Sequence, residues 1–179
     1  PTCEPHRGID LKQLVDDLAQ RDMHMPLLLR FNDILKHRLS LLHDVFQQAI
    51  RDHDYNGKYR CVYPVKVNQQ RHVVEQVLEH GRSLGFGLEA GSKPELLAVM
   101  AMVEDESTPI ICNGFKDDKF IEAVILAAKI GKHIVPVVEK FSELKLIIRF
   151  AREHNVRPSI GIRVKLAARG AGRWEQSGG

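Results

Sequence analysis

Apolar positions along the chain follow two alternating periodicities. Short apolar runs rich in β-branched residues predict buried strands, whereas apolar residues spaced three and four positions apart predict amphipathic helices. Strands are predicted over residues 27–29, 59–67, 85–89, 108–112, 133–138 and 159–163. Helices are predicted over residues 11–19, 35–49, 72–80, 92–100, 117–130 and 141–154.

About six predicted strands thus alternate with helices over short loops. This order is typical of a parallel sheet whose two faces are covered by helices, that is, of the α/β class. A doubly wound open sheet and a (β/α) barrel both fit the pattern. A barrel normally needs eight such units and roughly 250 residues, and the chain has 179. Periodicity alone leaves both architectures open.

Composition and charge narrow the class of protein only modestly. Hydrophobic residues make up 44% and charged residues 27% of the chain, which is ordinary for a soluble domain. The net charge is +3, and the lysine and arginine residues are interspersed with aspartate and glutamate. No basic patch for nucleic acid is therefore predicted. No apolar run approaches the ~20 residues of a membrane span, and the first residues lack the order of a signal peptide.

Cysteine and histidine usage predicts neither a disulfide framework nor a metal centre. The three cysteines, Cys3, Cys61 and Cys112, form no CxxC pair, which favours a reducing compartment and hence the cytoplasm. The nine histidines show no metal-ligand spacing, so no histidine-built metal site is expected.

Candidate chemistry lies where the predicted strands end, because ligands of parallel α/β proteins gather at the carboxyl ends of the strands. No glycine-rich dinucleotide or P-loop motif follows any strand, which argues against those nucleotide enzymes. The polar residues that end the strands are Lys66, Glu89, Asn113, Glu139 and Arg163.

Lys66 is the most unusual of these residues, since it stands between Val65 and Val67 in what reads as an interior strand. Burial there disfavours the charged ammonium and would make the neutral amine available as a nucleophile. Taken alone, however, a single lysine in a strand is more often a charge on an edge strand or a solvated surface residue.

The other candidates also have simpler explanations. Glu89 and Arg163 can each be half of an ordinary ion pair at a strand end. Glu95 stands three residues after Ser92 with Pro94 between them, the pattern of a helix capping box.

Six motifs in a fixed order resemble the biosynthetic arginine decarboxylases. The similarity covers nearly the whole chain and is weakest over its first ~25 residues; several separate motifs in order are more specific than any single one. The motifs are YPVKVNQQ at 63–70, GLEAGSKPEL at 87–96, ICNGFKD at 111–117, VEK at 138–140, GIRV at 161–164 and GAGRW at 170–174.

The resemblance implies an alanine-racemase-like (β/α)₈ barrel of the TIM type, followed by a β-rich C-terminal domain. Residues 1–25 would be a lead-in segment and residues 26–179 part of the barrel that binds pyridoxal phosphate. The remainder of the barrel and the C-terminal domain would then lie outside this chain, which we expect to be part of a longer protein.

By the same resemblance, Lys66 would bind pyridoxal 5′-phosphate covalently, and Glu89, Glu95 and Arg163 would lie beside the cofactor. Magnesium accompanies the cofactor in such enzymes, but no residue here is assigned to it. The implied reaction converts L-arginine to agmatine and carbon dioxide for polyamine and spermidine biosynthesis, in a homo-oligomer. This chain alone is not expected to catalyse it.

Two alternatives share the same lysine. One is a decarboxylase or racemase for another amino acid on the same barrel, and the other is a non-catalytic homologue that binds pyridoxal phosphate.

Overall fold

The computed structural model describes residues 8–164. The chain divides into two compact units, Pro1–Phe31 and Asn32–Gly179. The predicted boundary between the lead-in segment and the barrel, at residues 25 and 26, stays a prediction.

The first unit contains one helix, α1 (Leu11–Gln20), which confirms the helix predicted there. Its start is fixed by Asp10, whose carboxylate accepts the backbone N–H groups of Lys12 and Gln13 at 2.9 and 3.1 Å. The prediction of a strand over residues 27–29 is wrong, because these residues form no regular secondary structure. Three apolar residues become a strand only where a neighbouring edge supplies hydrogen bonds, and hydrophobicity does not encode that partner.

The second unit alternates helices and strands in the predicted order. Its elements are α2 (Asn32–Asp52), β1 (Val62–Pro64), α3 (Arg71–Gly81), β2 (Gly87–Ala90), α4 (Lys93–Met102), β3 (Ile110–Cys112), α5 (Asp118–Lys129), β4 (Ile134–Val138), α6 (Phe141–Glu153) and β5 (Gly161–Ile162). Within residues 8–164 the sheet therefore has five strands, not about six, and most strands are shorter than predicted.

The strand order decides between the two architectures that periodicity left open. Each strand pairs in parallel with the next one along the chain, in the order β1-β2-β3-β4-β5. A doubly wound sheet reverses its order at a switch point, whereas a barrel winds in one direction only. The described strands show no reversal, so the fold is part of a (β/α) barrel, as the resemblance implied.

The core lies between the helices and one face of the sheet. Leu88, Ile110 and Ile134 stand side by side on β2, β3 and β4 and are buried under the helices. Their neighbours on the opposite face, Glu89, Ile111 and Val135, are only half-buried. Because side chains alternate between the two faces of a strand, the covered face carries the hydrophobic core. A second cluster joins α5 to α6 through Ile121, Ile125, Ile147 and Phe150.

Asp105 organises the loop between α4 and β3. Its carboxylate accepts the hydroxyl and backbone N–H groups of Ser107 and of Thr108 at 2.7–2.8 Å. The guanidinium of Arg82 also lies 3.7 Å away. The hydrogen bonds from Ser107 and then from Thr108 hold the pKa of Asp105 well below its usual range, against the opposing effect of burial.

Asp105→Asn is expected to lower the free energy of unfolding by about 2 kcal/mol at neutral pH, since hydrogen bonds to a charged group are lost. The folded-state pKa of Asp105 lies below its ordinary value of 3.8, so this contribution is complete well above pH 3.8. The contribution is lost as the pH falls below that value, so the difference in free energy of unfolding between wild type and variant becomes smaller. Urea unfolding between pH 7 and pH 3 measures this difference, with the exposed Asp52→Asn as control. A difference that does not depend on pH would contradict the assignment.

No helix among residues 8–164 is long and apolar enough to span a membrane.

Candidate active site

The polar residues predicted at the five strand ends line one cleft of about 580 Å³. The volume is within the range of small-molecule and cofactor sites. Parallel strands bring their carboxyl ends to the same edge, which is why residues far apart in sequence meet here. The cleft is lined by Lys66, Glu89, Gly91, Glu95, Asn113, Gly114, Phe115, Glu139, Lys140 and Arg163.

Lys66 lies in a short turn after β1 and not within the strand itself. Strand β1 ends at Pro64, and residues Val65–Val67 form a short 3₁₀ turn that carries the lysine past the end of the sheet. Its side chain is 62% exposed, which agrees with a solvated lysine at an edge strand and not with a lysine buried in an interior strand. The strand is short because β1 pairs with β2 only as far as Pro64 and Glu89.

The amine of Lys66 is held at the cleft by Glu89. The distance from Lys66 Nζ to Glu89 Oε1 is 3.4 Å, and the carboxylate is only 16% exposed. Glu89 is the last-but-one residue of β2, so its orientation is set by the sheet and not by a loop. The ion pair considered for Glu89 from sequence therefore exists, and its partner is the lysine of the candidate site.

Glu95 has a capping role, though not the reciprocal one predicted. The hydroxyl of Ser92 accepts the backbone N–H of Glu95 at 3.4 Å, as a helix cap does. The carboxylate of Glu95 then accepts the N–H of Gly91 at 2.7 Å, and not that of Ser92. Glu95 thus fixes the loop after β2 and also lines the cleft.

Arg163 and Glu139 form an ion pair that lines the cleft at the ends of β4 and β5. Arg163 Nη1 lies 3.6 Å from Glu139 Oε1, and the arginine side chain remains 45% exposed. The same carboxylate oxygen accepts the N–H of Gly114 at 2.6 Å. Glu139 therefore links the loop after β3 to the end of β5. A guanidinium has five N–H donors in a planar fork that suits an anionic ligand.

Gly114 occupies a position that excludes other residues. Its φ of +77° lies in the left-handed region, and an added Cβ would stand 2.6 Å from the carbonyl oxygen of Gly91. The loops after β2 and β3 are in contact through these two glycines. The NG of the motif at residues 113–114 read as a tight loop in the sequence, but the need for close approach to Gly91 was not evident.

Phe115 and Lys140 line the cleft without having been assigned any role from the sequence. The ammonium of Lys140 lies 3.7 Å from the centroid of the Phe115 ring, a cation–π contact. Lys140 directly follows Glu139 in the VEK motif, which is the signal that placed it near a strand end.

Lys116 and Glu143 form a buried ion pair directly behind the cleft. Their side chains are 0% and 2% exposed, and Lys116 Nζ lies 3.2 Å from Glu143 Oε2. Burial by itself raises the pKa of Glu143. The N–H groups of Glu139 and Lys116 and the ammonium of Lys116 outweigh this effect, so the pKa lies below its ordinary value. Glu143 was not singled out in the sequence, and Lys116 was part of a motif without an assigned role.

Cys112, at the end of β3, contributes packing and not reactivity. Burial raises the pKa of its thiol to about 12, so the thiol stays protonated near neutral pH. This agrees with the interpretation of Cys112 as a small hydrophobic residue.

Other features of the described residues offer less chemistry. A larger cavity of about 670 Å³ borders α3 and α4, away from most strand ends, and two of its four charged residues, Arg71 and Glu75, pair with each other at 2.6 Å. Residues 8–164 contain no group of three or more His, Cys, Asp or Glu side chains arranged to hold a metal ion.

Comparison with known proteins identifies the family to which the chain is similar. Residues 42–179 match the family model described as the pyridoxal-binding domain of pyridoxal-dependent decarboxylases. The chain is 57% identical over its whole length to the biosynthetic arginine decarboxylase of Rhodopirellula baltica, and 51% identical to that of Gloeobacter violaceus. It spans only 27% and 28% of the lengths of these two relatives.

A solved structure gives the same result for the fold. The crystal structure of the biosynthetic arginine decarboxylase of Campylobacter jejuni matches 92% of this chain with a TM-score of 0.83 and 35% sequence identity. The match spans 28% of that chain. The resemblance found in the sequence motifs is confirmed: the chain belongs to the pyridoxal-dependent decarboxylases and carries part of their pyridoxal-binding domain.

Proposed function

We propose that the protein containing this chain decarboxylates L-arginine to agmatine and carbon dioxide with pyridoxal 5′-phosphate, and that Lys66 binds the cofactor. The observation that carries the proposal is the cleft in which the amine of Lys66 stands 3.4 Å from Glu89 and which Arg163 also lines. The arginine decarboxylases to which the chain is 47–57% identical support the choice of substrate.

The side chains present fit the cofactor. An exposed primary amine can react with an aldehyde, and a cleft of about 580 Å³ has room for a pyridine ring with a bound amino acid. Carboxylates and a guanidinium around the amine match a ligand that carries both positive and negative groups.

Three residues of the cleft besides Lys66 then have a proposed task. Glu89 holds the amine of Lys66 toward the ligand, and its position on β2 keeps that geometry rigid. Arg163 presents a guanidinium to an anionic group of cofactor or substrate. Glu95 holds the loop after β2 through Gly91, which shapes the near side of the cleft.

The chemistry of carbon–carbon cleavage would be supplied by the cofactor, whose conjugated ring delocalises the electron pair left when carbon dioxide departs. The protein's contribution is to orient the scissile carboxylate and to limit side reactions by excluding water. The finer parts of the proposal are a polyamine-forming role, a homo-oligomer, a cytoplasmic location and an accompanying Mg²⁺. The cytoplasmic location rests on the cysteine usage of the chain, and the other three rest on the resemblance.

The test is product formation by the longest natural form of the protein, loaded with pyridoxal phosphate. Supplied separately with arginine, ornithine, lysine and diaminopimelate, the enzyme should form agmatine from arginine at least about tenfold faster, in kcat/KM, than any other product. A different preferred product, or racemised amino acid, would replace the proposed substrate. Cofactor binding without any turnover would identify a non-catalytic homologue.

A further inference from the structure

Glu143 lies outside the cleft, yet three donors from the cleft's two supporting loops converge on its carboxylate. Oε1 accepts the backbone N–H of Lys116 at 2.9 Å, and Oε2 accepts the backbone N–H of Glu139 at 2.9 Å. The ammonium of Lys116 lies 3.2 Å from Oε2. One carboxylate in the first turn of α6 therefore joins the loop after β3 to the end of β4.

Lys116 extends this connection to Gly114. Its ammonium donates to the carbonyl of Gly114, while the N–H of the same glycine donates to the side chain of Glu139. The carbonyl of Gly114 is thus held by Lys116 and its N–H group by Glu139, and both of these residues are bound to Glu143. A side chain at this position would clash with the carbonyl of Gly91, so the arrangement requires a glycine here.

The consequence for the cleft is geometric. Glu139 has its backbone fixed by Glu143 and its carboxylate fixed by Gly114, and this carboxylate is the partner of Arg163 at 3.6 Å. Burial at 0% and 2% exposure shields the pair from water and salt, so the arrangement has few alternative geometries.

From this arrangement we infer that Lys116 and Glu143 are positioning residues that set the location of Glu139, and through it Arg163, for ligand binding in the cleft. Neither side chain is among those lining the cleft, so neither is a catalytic residue. The inference rests on the proposed function only in taking the ligand to be pyridoxal phosphate and its amino-acid substrate.

Glu143→Gln tests the inference because it removes one acceptor without changing the size of the side chain. An amide offers one acceptor oxygen and places an NH₂ group against donors, so at least one contact to Lys116 or Glu139 is lost. In the longest natural form of the protein, the dissociation constant for pyridoxal phosphate is expected to rise at least about tenfold. KM for arginine should rise by a similar factor, with a smaller loss in kcat, because binding groups and not the lysine are displaced.

The matched control is Ile147→Ala, one turn further along α6. Ile147 is buried at 2% exposure in the cluster that joins α5 to α6, and it has no polar contact with the loops. Its substitution destabilises the same helix by creating a cavity. At temperatures where both variants are fully folded, Ile147→Ala should leave cofactor affinity and KM within about twofold of wild type.

Amide hydrogen exchange of the wild type tests the inference even where Glu143→Gln does not fold. The amides of Gly114, Lys116 and Glu139 should exchange as slowly as those of β3 and β4. Rapid exchange at these three amides would overturn the inference, as would equal loss of affinity in Glu143→Gln and Ile147→Ala, or no loss in either. A wild-type enzyme that binds the cofactor but does not decarboxylate arginine would refute the proposed function alone, since affinity and exchange still test the positioning role.

Discussion

Lys66→Ala is expected to abolish covalent binding of pyridoxal phosphate and to lower kcat for arginine by at least about a thousandfold, or about 4 kcal/mol in activation free energy. The reason is the position of the amine, which the 3₁₀ turn carries beyond β1 and into the cleft beside Glu89. An alanine leaves the cleft and its charged partners in place but removes the nucleophile.

Borohydride reduction followed by peptide mass spectrometry checks this expectation. In the wild type, the reduced cofactor should be found on the peptide containing Lys66, and in Lys66→Ala no peptide should carry it. Lys93→Ala is the matched control, because Lys93 is close by in sequence but pairs with Asp117 at 2.7 Å and does not line the cleft. A cofactor fixed on Lys140, the other lysine that lines the cleft, would contradict the assignment.

Lys116→Met is expected to lower the free energy of unfolding by about 3–5 kcal/mol, because it leaves the buried carboxylate of Glu143 without its cation. The double substitution Lys116→Met with Glu143→Gln should be less destabilised than Lys116→Met alone. A neutral amide next to methionine has no uncompensated charge, and its oxygen can still accept backbone N–H groups.

Chemical denaturation of the four proteins in this cycle measures the coupling between the two side chains. A strongly non-additive result is expected, since the residues are in direct contact. Lys119→Met supplies the control: its partner Glu122 lies 2.9 Å away, but the lysine is 70% exposed. Such a surface pair contributes little, so its loss should leave the free energy of unfolding nearly unchanged. Additive effects within the cycle would show that Lys116 and Glu143 do not act as a pair.

Those residues of the cleft that lie at strand ends could be predicted from the sequence, because the apolar runs indicate where the strands end. Lys66, Glu89, Asn113, Glu139 and Arg163 each follow an apolar run, and parallel strands necessarily bring such positions to one edge. The roles of Lys66, Glu89, Glu95 and Arg163 toward the cofactor stay predictions, supported by the motifs and by the shape of the cleft.

Contacts between loops were not predictable in the same way. The pairing of Lys116 with Glu143 joins residues 27 positions apart, and that of Gly114 with Glu139 joins residues 25 positions apart. Nothing in either local segment distinguishes these side chains from solvated ones, because burial of a charge depends on which elements pack around it. The end of β1 before Lys66 was not predictable for the same reason, and the strand is shorter than its apolar run.

The sequence alone determined the alternation of helices and strands, since hydrophobic periodicity follows from which face of each element is buried. It also determined family membership, because ordered motifs survive in the chain as residue identities. Only the tertiary structure decided the one-directional order of the strands, the end of β1 before Lys66, and the buried pair behind Gly114. These depend on hydrogen bonds and desolvation between distant segments, which exist only once the sheet has brought those segments together.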